Sequence, residues 1–403
     1  MVAPSIAAVV ENGLCIGCGL CESVTNGRVP MELATIGSMR PSSTVDFRPD
    51  EEAKLLAACP GVSVGPRQHL DVPVDPIWGA HGTMRLGWAA DPTVRFEAAT
   101  GGVLTALGMY LVASRQVSFV LHVGQDAGDG FTNGWRISET AEGVFAGKGS
   151  RYGPVSALAG LETALRRDEP FALIAKPCDA AAVHSLGAVD ERVERLCTHR
   201  MVMVCGGQSR VSKSIGAAAG FGLDPDQVDS IRYRGFGNPG PTVITDRSGN
   251  AHALSYLDMW ADEGTWDLDS RCTVCPDPLG EAADISASDA WPGGAPTGED
   301  EGFNGVVAYS EVGERLLADA VADGYLVLGD QITPREFDDL QPHQVRKKEA
   351  LAARFEALAA ADKPVLRTAG LRVEEIGARL DGPAREREIE GTAVRIARGR
   401  YEA

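Results

Sequence analysis

At 403 residues, 44% hydrophobic and 23% charged, the chain has the composition of a globular protein with room for two or three domains. Its net charge of −18 argues against a nucleic-acid or anionic-membrane surface, which needs clustered Lys and Arg. Met1 to Val10 lacks the basic start of a signal peptide, and Val103 to Ala113, the most apolar helical stretch, is too short to span a bilayer, so a soluble cytoplasmic protein is expected.

Nine cysteines in such a chain point to metal or cluster ligation rather than to disulfides. Gly13 to Val24 reads G-L-C-I-G-C-G-L-C-E-S-V, so Cys15, Cys18 and Cys21 stand at the C-x2-C-x2-C spacing that lets a loop wrap a cubane. A ferredoxin run supplies its fourth Cys close behind, before Pro. Here Thr25 holds the local fourth position, and the Cys-Pro pair arrives at Cys59-Pro60 after a polar insert. A zinc knuckle is the alternative, though zinc sites usually pair their ligands two plus two.

Trp78 to Trp88 reads as a Gly- and aromatic-containing loop. Phe96 to Arg115 turns helical, with Val103, Leu104, Leu107, Tyr110 and Leu111 on one buried face. Thr100, Gly101 and Gly102 open it, with a hydroxyl at the cap and two residues that let a ligand approach backbone N–H groups; such an N-terminus suits a pyrophosphate. Ser118 to Val123 is expected as a buried strand. Gly147 to Pro154 (G-K-G-S-R-Y-G-P) offers Lys148 and Arg151 to a phosphate and Tyr152 to a ring, or is a turn with solvated charges. A helix over about 155–167 follows, then an apolar strand, Phe171 to Ala175, that ends in Lys176-Pro177-Cys178-Asp179 ahead of a short helix, Ala180 to Leu186. The strand Met201 to Val204 delivers Cys205 to the same sheet edge, where α/β sheets place ligands.

Ile231 to Thr242 puts Arg232 and Arg234 on one side of an extended segment before a Gly-rich turn, an arrangement suited to an anion or to a solvated strand face. A hairpin (243–245 and 251–254) precedes Cys272 to Trp291, C-T-V-C-P-D-P-L-G-E-A-A-D-I-S-A-S-D-A-W, whose two thiols fill half of a four-thiolate shell. Cys178 and Cys205 complete the set with Cys272 and Cys275. Cys197 is left over as a buried free thiol. Strands at 305–309 and 325–328 flank a helix at 313–323. The remainder is helical, and 372–401 reads as solvated helix or oligomer contact.

Six segments in this order carry a family resemblance: C-I-G-C-G-L-C, A-T-G-G-V-L-T-A-L, G-S-R-Y-G-P, K-P-C-D, Y-R-G-F-G-N-P-G and C-T-V-C-P-D…A-D-I-S-A-S-D-A-W. From Cys15 to about Leu328 the chain resembles the coenzyme F-420 hydrogenase/dehydrogenase beta-subunit family. These are flavin and iron–sulfur proteins that include 7-hydroxymethyl chlorophyll a reductases and one type of divinyl chlorophyllide reductase. The resemblance implies an α/β (α+β) fold with a half-ferredoxin-like segment at 1–75, a flavin-binding part at 76–165, a second-cluster part at 166–330 and a helical extension at 331–403. It implies FAD held near Thr100, Gly101, Gly102, Lys148, Arg151, Tyr152 and Arg234. It also implies two 4Fe-4S clusters, on Cys15, Cys18, Cys21 and Cys59 and on Cys178, Cys205, Cys272 and Cys275. Family members usually carry a small residue in place of Lys176 and Gln in place of Asp179, so these two are the catalytic candidates particular to this chain; Asp284 and Asp289 match the family and read as structural.

The expected function is an iron–sulfur flavoprotein oxidoreductase with ferredoxin or the deazaflavin coenzyme as electron partner, Arg28, Arg40, Arg67 and Arg85 forming a basic docking patch for an acidic ferredoxin. One alternative is an electron-transfer beta subunit with no substrate of its own, docking on a hydrogenase- or formate-dehydrogenase-like catalytic subunit. Another is a zinc-binding structural protein. A homo-oligomer is compatible with each.

Overall fold

The computed structural model describes residues 1–67, 70–125 and 130–402. Its centre is an eight-stranded mixed sheet: β1 (Met84–Ala89), β2 (Phe119–Gln125), β3 (Asn133–Ser138), β4 (Phe171–Ala175), β5 (Cys197–Met203), β6 (Ile285–Asp289), β7 (Asn304–Ala308) and β8 (Leu326–Gln331). Their order across the sheet is β8-β1-β7-β6-β5-β4-β2-β3. The inner four, β6, β5, β4 and β2, run parallel, while the outer pairings are antiparallel. An α/β sheet of this kind opens a crevice beyond the carboxyl ends of its parallel strands.

The pleat sends alternate residues to opposite faces, and the two faces carry different cores. Phe119, Leu121, Phe171, Leu173 and Ala175 pack against Ile6, Ile16, Leu20 and Leu55, so the N-terminal cysteine segment lies directly on the sheet. Val120 and Ala172 turn to the other face and meet Val103, Leu107, Tyr110 and Leu111 of helix α1 (Val103–Ala113) together with Leu316 and Leu317 of α2 (Glu311–Ala322). A third core joins Ala3, Val9, Leu14 and Val62 to Leu351, Leu358 and Leu366. Residues 342–360 form helix α3 (Pro342–Ala360), which is held by a buried ammonium: Lys348 Nζ lies 2.7 Å from Glu281 Oε1.

Several sequence expectations need correction. Residues 78–88 are not only a loop, because Met84–Ala89 is a sheet strand; its Arg and Gly break the alternation that marks strands. Ile285–Asp289 is a central strand of small buried residues. The helix expected over 96–115 is two, Pro92–Glu97 and α1, separated at 98–102. That over 155–167 is a short 3-10 turn, Ala157–Gly160, followed by Leu161–Arg166. The helix after Lys176 begins at Pro177, so Cys178 stands in its first turn. The 372–401 stretch contains the expected largely exposed helix, Gly382–Ala397, but its end is docked, since Tyr401 is buried and its hydroxyl lies 2.7 Å from Thr273 Oγ1. The four arginines form no patch. Arg28 pairs with Glu51, Arg40 is buried on Asp269 at 3.1 Å, Arg67 reaches Glu194 and Asp284 at 3.4 Å, and Arg85 donates to the Gly329 carbonyl.

Candidate functional site

A cavity of about 220 Å³ opens at the carboxyl ends of β2, β4, β5 and β6, lined among others by Val123, Ala175, Met203 and Ser288. Thr100, Gly102, Lys148, Arg151, Tyr152, Arg234, Lys176 and Asp179 all line it. Gly101 does not; its carbonyl accepts the Ala89 N–H, and a Cβ there would stand 3.0 Å from Asn304 Oδ1. The α1 N-cap is Gly102, at φ 74°, where a Cβ would approach the Val94 carbonyl to 2.9 Å. Thr100, expected as the cap, instead donates its hydroxyl to Asp289 at 2.5 Å.

Arg234 is buried to 2% exposure, its guanidinium 2.8 and 3.1 Å from the two Asp289 oxygens and over the rings of Tyr256 and Trp291. Burial opposes its charge, but Asp289, Tyr152 and Tyr256 together outweigh this and raise its pKa. Arg232 does not join it: its head bonds the Gly235 carbonyl at 2.5 Å and covers Phe236. Lys148 pairs with Glu97 at 3.3 Å, Arg151 donates to the Ile231 carbonyl, and Tyr152 packs on Trp260 with centroids 4.3 Å apart. Lys176 Nζ lies 3.1 Å from Asp179 Oδ2. Burial disfavours both charges, yet their mutual attraction holds the proton on the lysine. Asp179 Oδ1, Gln208 Oε1 and Arg151 Nε, on residues that line the cavity, are buried without a hydrogen-bond partner among the described residues.

The eight paired cysteines fall into the two expected sets. Cys15, Cys18, Cys21 and Cys59 line one small cavity; Cys178, Cys205, Cys272 and Cys275 line another; Cys197 lines neither. Among the described residues no three His, Cys, Asp or Glu side chains gather tightly enough to hold a single metal ion. The thiols stand around a space instead. Backbone N–H groups point at several sulfurs: Gly17 to Cys15 and Gly61 to Cys59 at 3.4 Å, Gln208 to Cys272 at 3.3 Å. Burial pushes Cys18, Cys21 and Cys178 well up, and Cys59 and Cys272 to about 12. Burial by itself makes thiolates costly here, but four thiols around each space, with backbone N–H groups aimed at their sulfurs, make donor sets that fit iron–sulfur ligation.

The three cavities abut. Ile16 lines both cysteine cavities, and Lys176, Cys205, Gly207 and Gln208 line both the second cysteine cavity and the large one. Gln208, which the sequence reading missed, ties the series together: its amide Nε2 reaches the Ile16 carbonyl at 3.4 Å and Asp269 at 3.2 Å. His122 was also missed. Its Nε2 lies 2.8 Å from Ser138 Oγ, and a polar residue inside the apolar run S-F-V-L-H-V was the available signal.

The chain matches the family model for the N-terminal part of the coenzyme F420 hydrogenase/dehydrogenase beta subunit over residues 84–162, and the companion model for the C terminus of that same subunit over residues 168–333. It is 25% identical over 244 residues to the F420-dependent formate dehydrogenase subunit beta of Methanocaldococcus jannaschii, covering 59% of each chain. It is 25% identical over 242 residues to F420-dependent formate dehydrogenase 1 subunit beta of Methanococcus maripaludis, again 59% of each. The chain thus spans about 59% of the length of these curated relatives. In fold it is similar to a chain of the F420-reducing NiFe hydrogenase complex from Methanosarcina barkeri, with a TM-score of 0.57 at 18% identity, covering 73% of this chain and 99% of that one. With both halves matched in sequence order, the chain belongs to the coenzyme F420 hydrogenase/dehydrogenase beta subunit family.

Proposed function

We propose that the chain is an iron–sulfur flavoprotein oxidoreductase that passes electrons between a one-electron carrier and a two-electron substrate. The observation that carries this reading is the series of three abutting cavities, each sharing wall residues with the next. Cys15, Cys18, Cys21 and Cys59 would hold one 4Fe-4S cluster and Cys178, Cys205, Cys272 and Cys275 the other. Thr100, Gly102, Lys148, Arg151, Tyr152 and Arg234 would hold FAD, which when bound exchanges hydride with a substrate and single electrons with clusters. The chain's own work is to fix these groups in a row and keep water from the cavity. The Lys176–Asp179 pair holds a proton at Nζ on the wall where the second thiol set and the large cavity meet.

The electron partner is the deazaflavin coenzyme named in both relatives, or a ferredoxin. A second reading is favoured by the relatives' being named as beta subunits: the chain delivers electrons for a hydrogenase- or formate-dehydrogenase-like catalytic subunit and has no substrate of its own. The experiment is anaerobic purification with iron, sulfide and released flavin quantified on one sample, followed by reduction of the deazaflavin with a reduced ferredoxin. About eight irons and one FAD per chain, with turnover by the isolated chain, support the first reading. The same content with turnover only beside a co-expressed catalytic subunit supports the second. Zinc without flavin overturns both.

A further inference from the structure

The walls of the two cysteine cavities differ in charge. The first is lined by Ile6, Val9, Leu20, Met31 and Leu55 beside its thiols, with no charged side chain among the described residues on it. The second carries Lys176, Arg271 and Lys347 against one carboxylate, Asp277. Two of these cations do little to separate the sets. Lys176 is paired with Asp179, and Arg271 places its head on the Pro60 carbonyl at 2.9 Å, next to Cys59 of the first set. Lys347 is different. It comes from α3, beyond residue 333 where the family match ends, and its Nζ donates to the Gly206 carbonyl at 2.6 Å, one residue from Cys205. Its neighbour Lys348 is locked on Glu281 and on the Ile77 carbonyl, which fixes the helix and the direction from which Lys347 arrives.

We propose that Lys347, delivered by the C-terminal helix, holds the second thiolate centre at a higher reduction potential than the first, so that electrons entering at the N-terminal set run downhill toward the large cavity. The proposal rests on the two thiol sets binding iron–sulfur clusters. A fixed positive charge stabilises the reduced, more negative form of a neighbouring centre; near the first set Arg40 is paired with Asp269 and Arg271 is shared with the second set, so Lys347 is the cation that separates the two. Lys347 is a positioning residue for charge rather than a catalytic one. The ordering suits a chain that draws on a low-potential carrier protein and reduces a two-electron acceptor.

The test is an EPR-monitored potentiometric titration of the intact, cluster-loaded protein, with Cys21→Ala used to identify the second centre as the signal that survives. Two separated potentials are expected, the surviving one being higher. Lys347→Met is expected to lower that potential, changing its reduced-to-oxidised ratio at fixed poise about tenfold, or about 59 mV for a one-electron couple, while the other centre stays put. Lys347→Arg is expected to keep the wild-type value. A single shared potential, a lower surviving one, an unmoved Lys347→Met, or a Lys347→Arg that falls as far as Met would each overturn the proposal. If Lys347→Met does not fold, the wild-type ordering and Lys347→Arg still decide. Protein without iron overturns the cluster reading and this proposal with it, whereas iron present in the wrong order overturns this proposal alone.

Discussion

Arg234 and Asp289 offer the sharpest test of how the large cavity is built. One guanidinium nitrogen reaches both carboxylate oxygens, at 2.8 and 3.1 Å, with the arginine side chain 3% exposed and the aspartate 23%. Removing one partner of a buried pair typically costs about 3–5 kcal/mol, because the other is left buried and uncompensated. Asp289 faces the cavity and keeps some solvent, so the low end, about 3 kcal/mol, applies to Arg234→Gln. At about 2.1 cal/mol/K per residue, a chain of this size unfolding as one unit loses roughly 3–4 °C in Tm for that cost. Asp289→Asn should cost less, about 2 kcal/mol, because Arg234 retains the Tyr256 and Trp291 rings. The double variant should be barely worse than Arg234→Gln, a coupling of about 2 kcal/mol. Calorimetric Tm values for the three variants and the parent close the cycle. Strict additivity would refute the argument, showing that the arginine is held by its rings and backbone carbonyls and not by the aspartate.

Cys59→Ser and Cys272→Ser should each lower bound iron by about half while leaving the other thiol set loaded, as read by iron and sulfide analysis; loss of all iron from either would contradict two separate sets. Gly17→Ala places a Cβ against the Met39 carbonyl at φ 65°, and should cost at least about 1 kcal/mol and deplete the first set selectively. The Asp190 carboxylate is depressed by its hydrogen bonds to Arg192, with Lys54 adding at 2.7 Å. A lowered folded-state pKa means its contribution is present above the ordinary aspartate value near 4 and is lost as pH falls below that. Asp190→Asn should therefore narrow the stability gap to the parent as the pH is taken from about 6 to 3, and a gap independent of pH would count against the assignment.

What could be seen in the sequence follows from how local each signal is. The cysteines announced themselves by spacing, and Phe171 to Ala175 by its unbroken apolar run, because both are properties of a few adjacent residues. The strand Ile285–Asp289 is buried on both faces of a central position, where Ser and Ala fit and no alternation survives. Arg232 and Arg234 looked equivalent by parity, yet the left-handed backbone at Phe236 and the turn around it bring carbonyls to one and Asp289 to the other. Gln208 and Lys347 carry no motif at all. Each matters only because distant segments meet around it, which no window of sequence contains.

The core that joins residues 3–64 to residues 351–401 has a consequence for how the protein is made. Val62 and Val64 exchange backbone hydrogen bonds with Arg367, and Met1 accepts one from Val365. Contacts of such sequence separation close late and at the full entropic cost of a long loop. The segment bearing Cys15, Cys18 and Cys21 is therefore made before residues 351–401, which complete its packing, and is secured only when they dock. Until that docking the Cys15 thiol, which packs against this core, is more open to solvent and oxidant than in the folded chain.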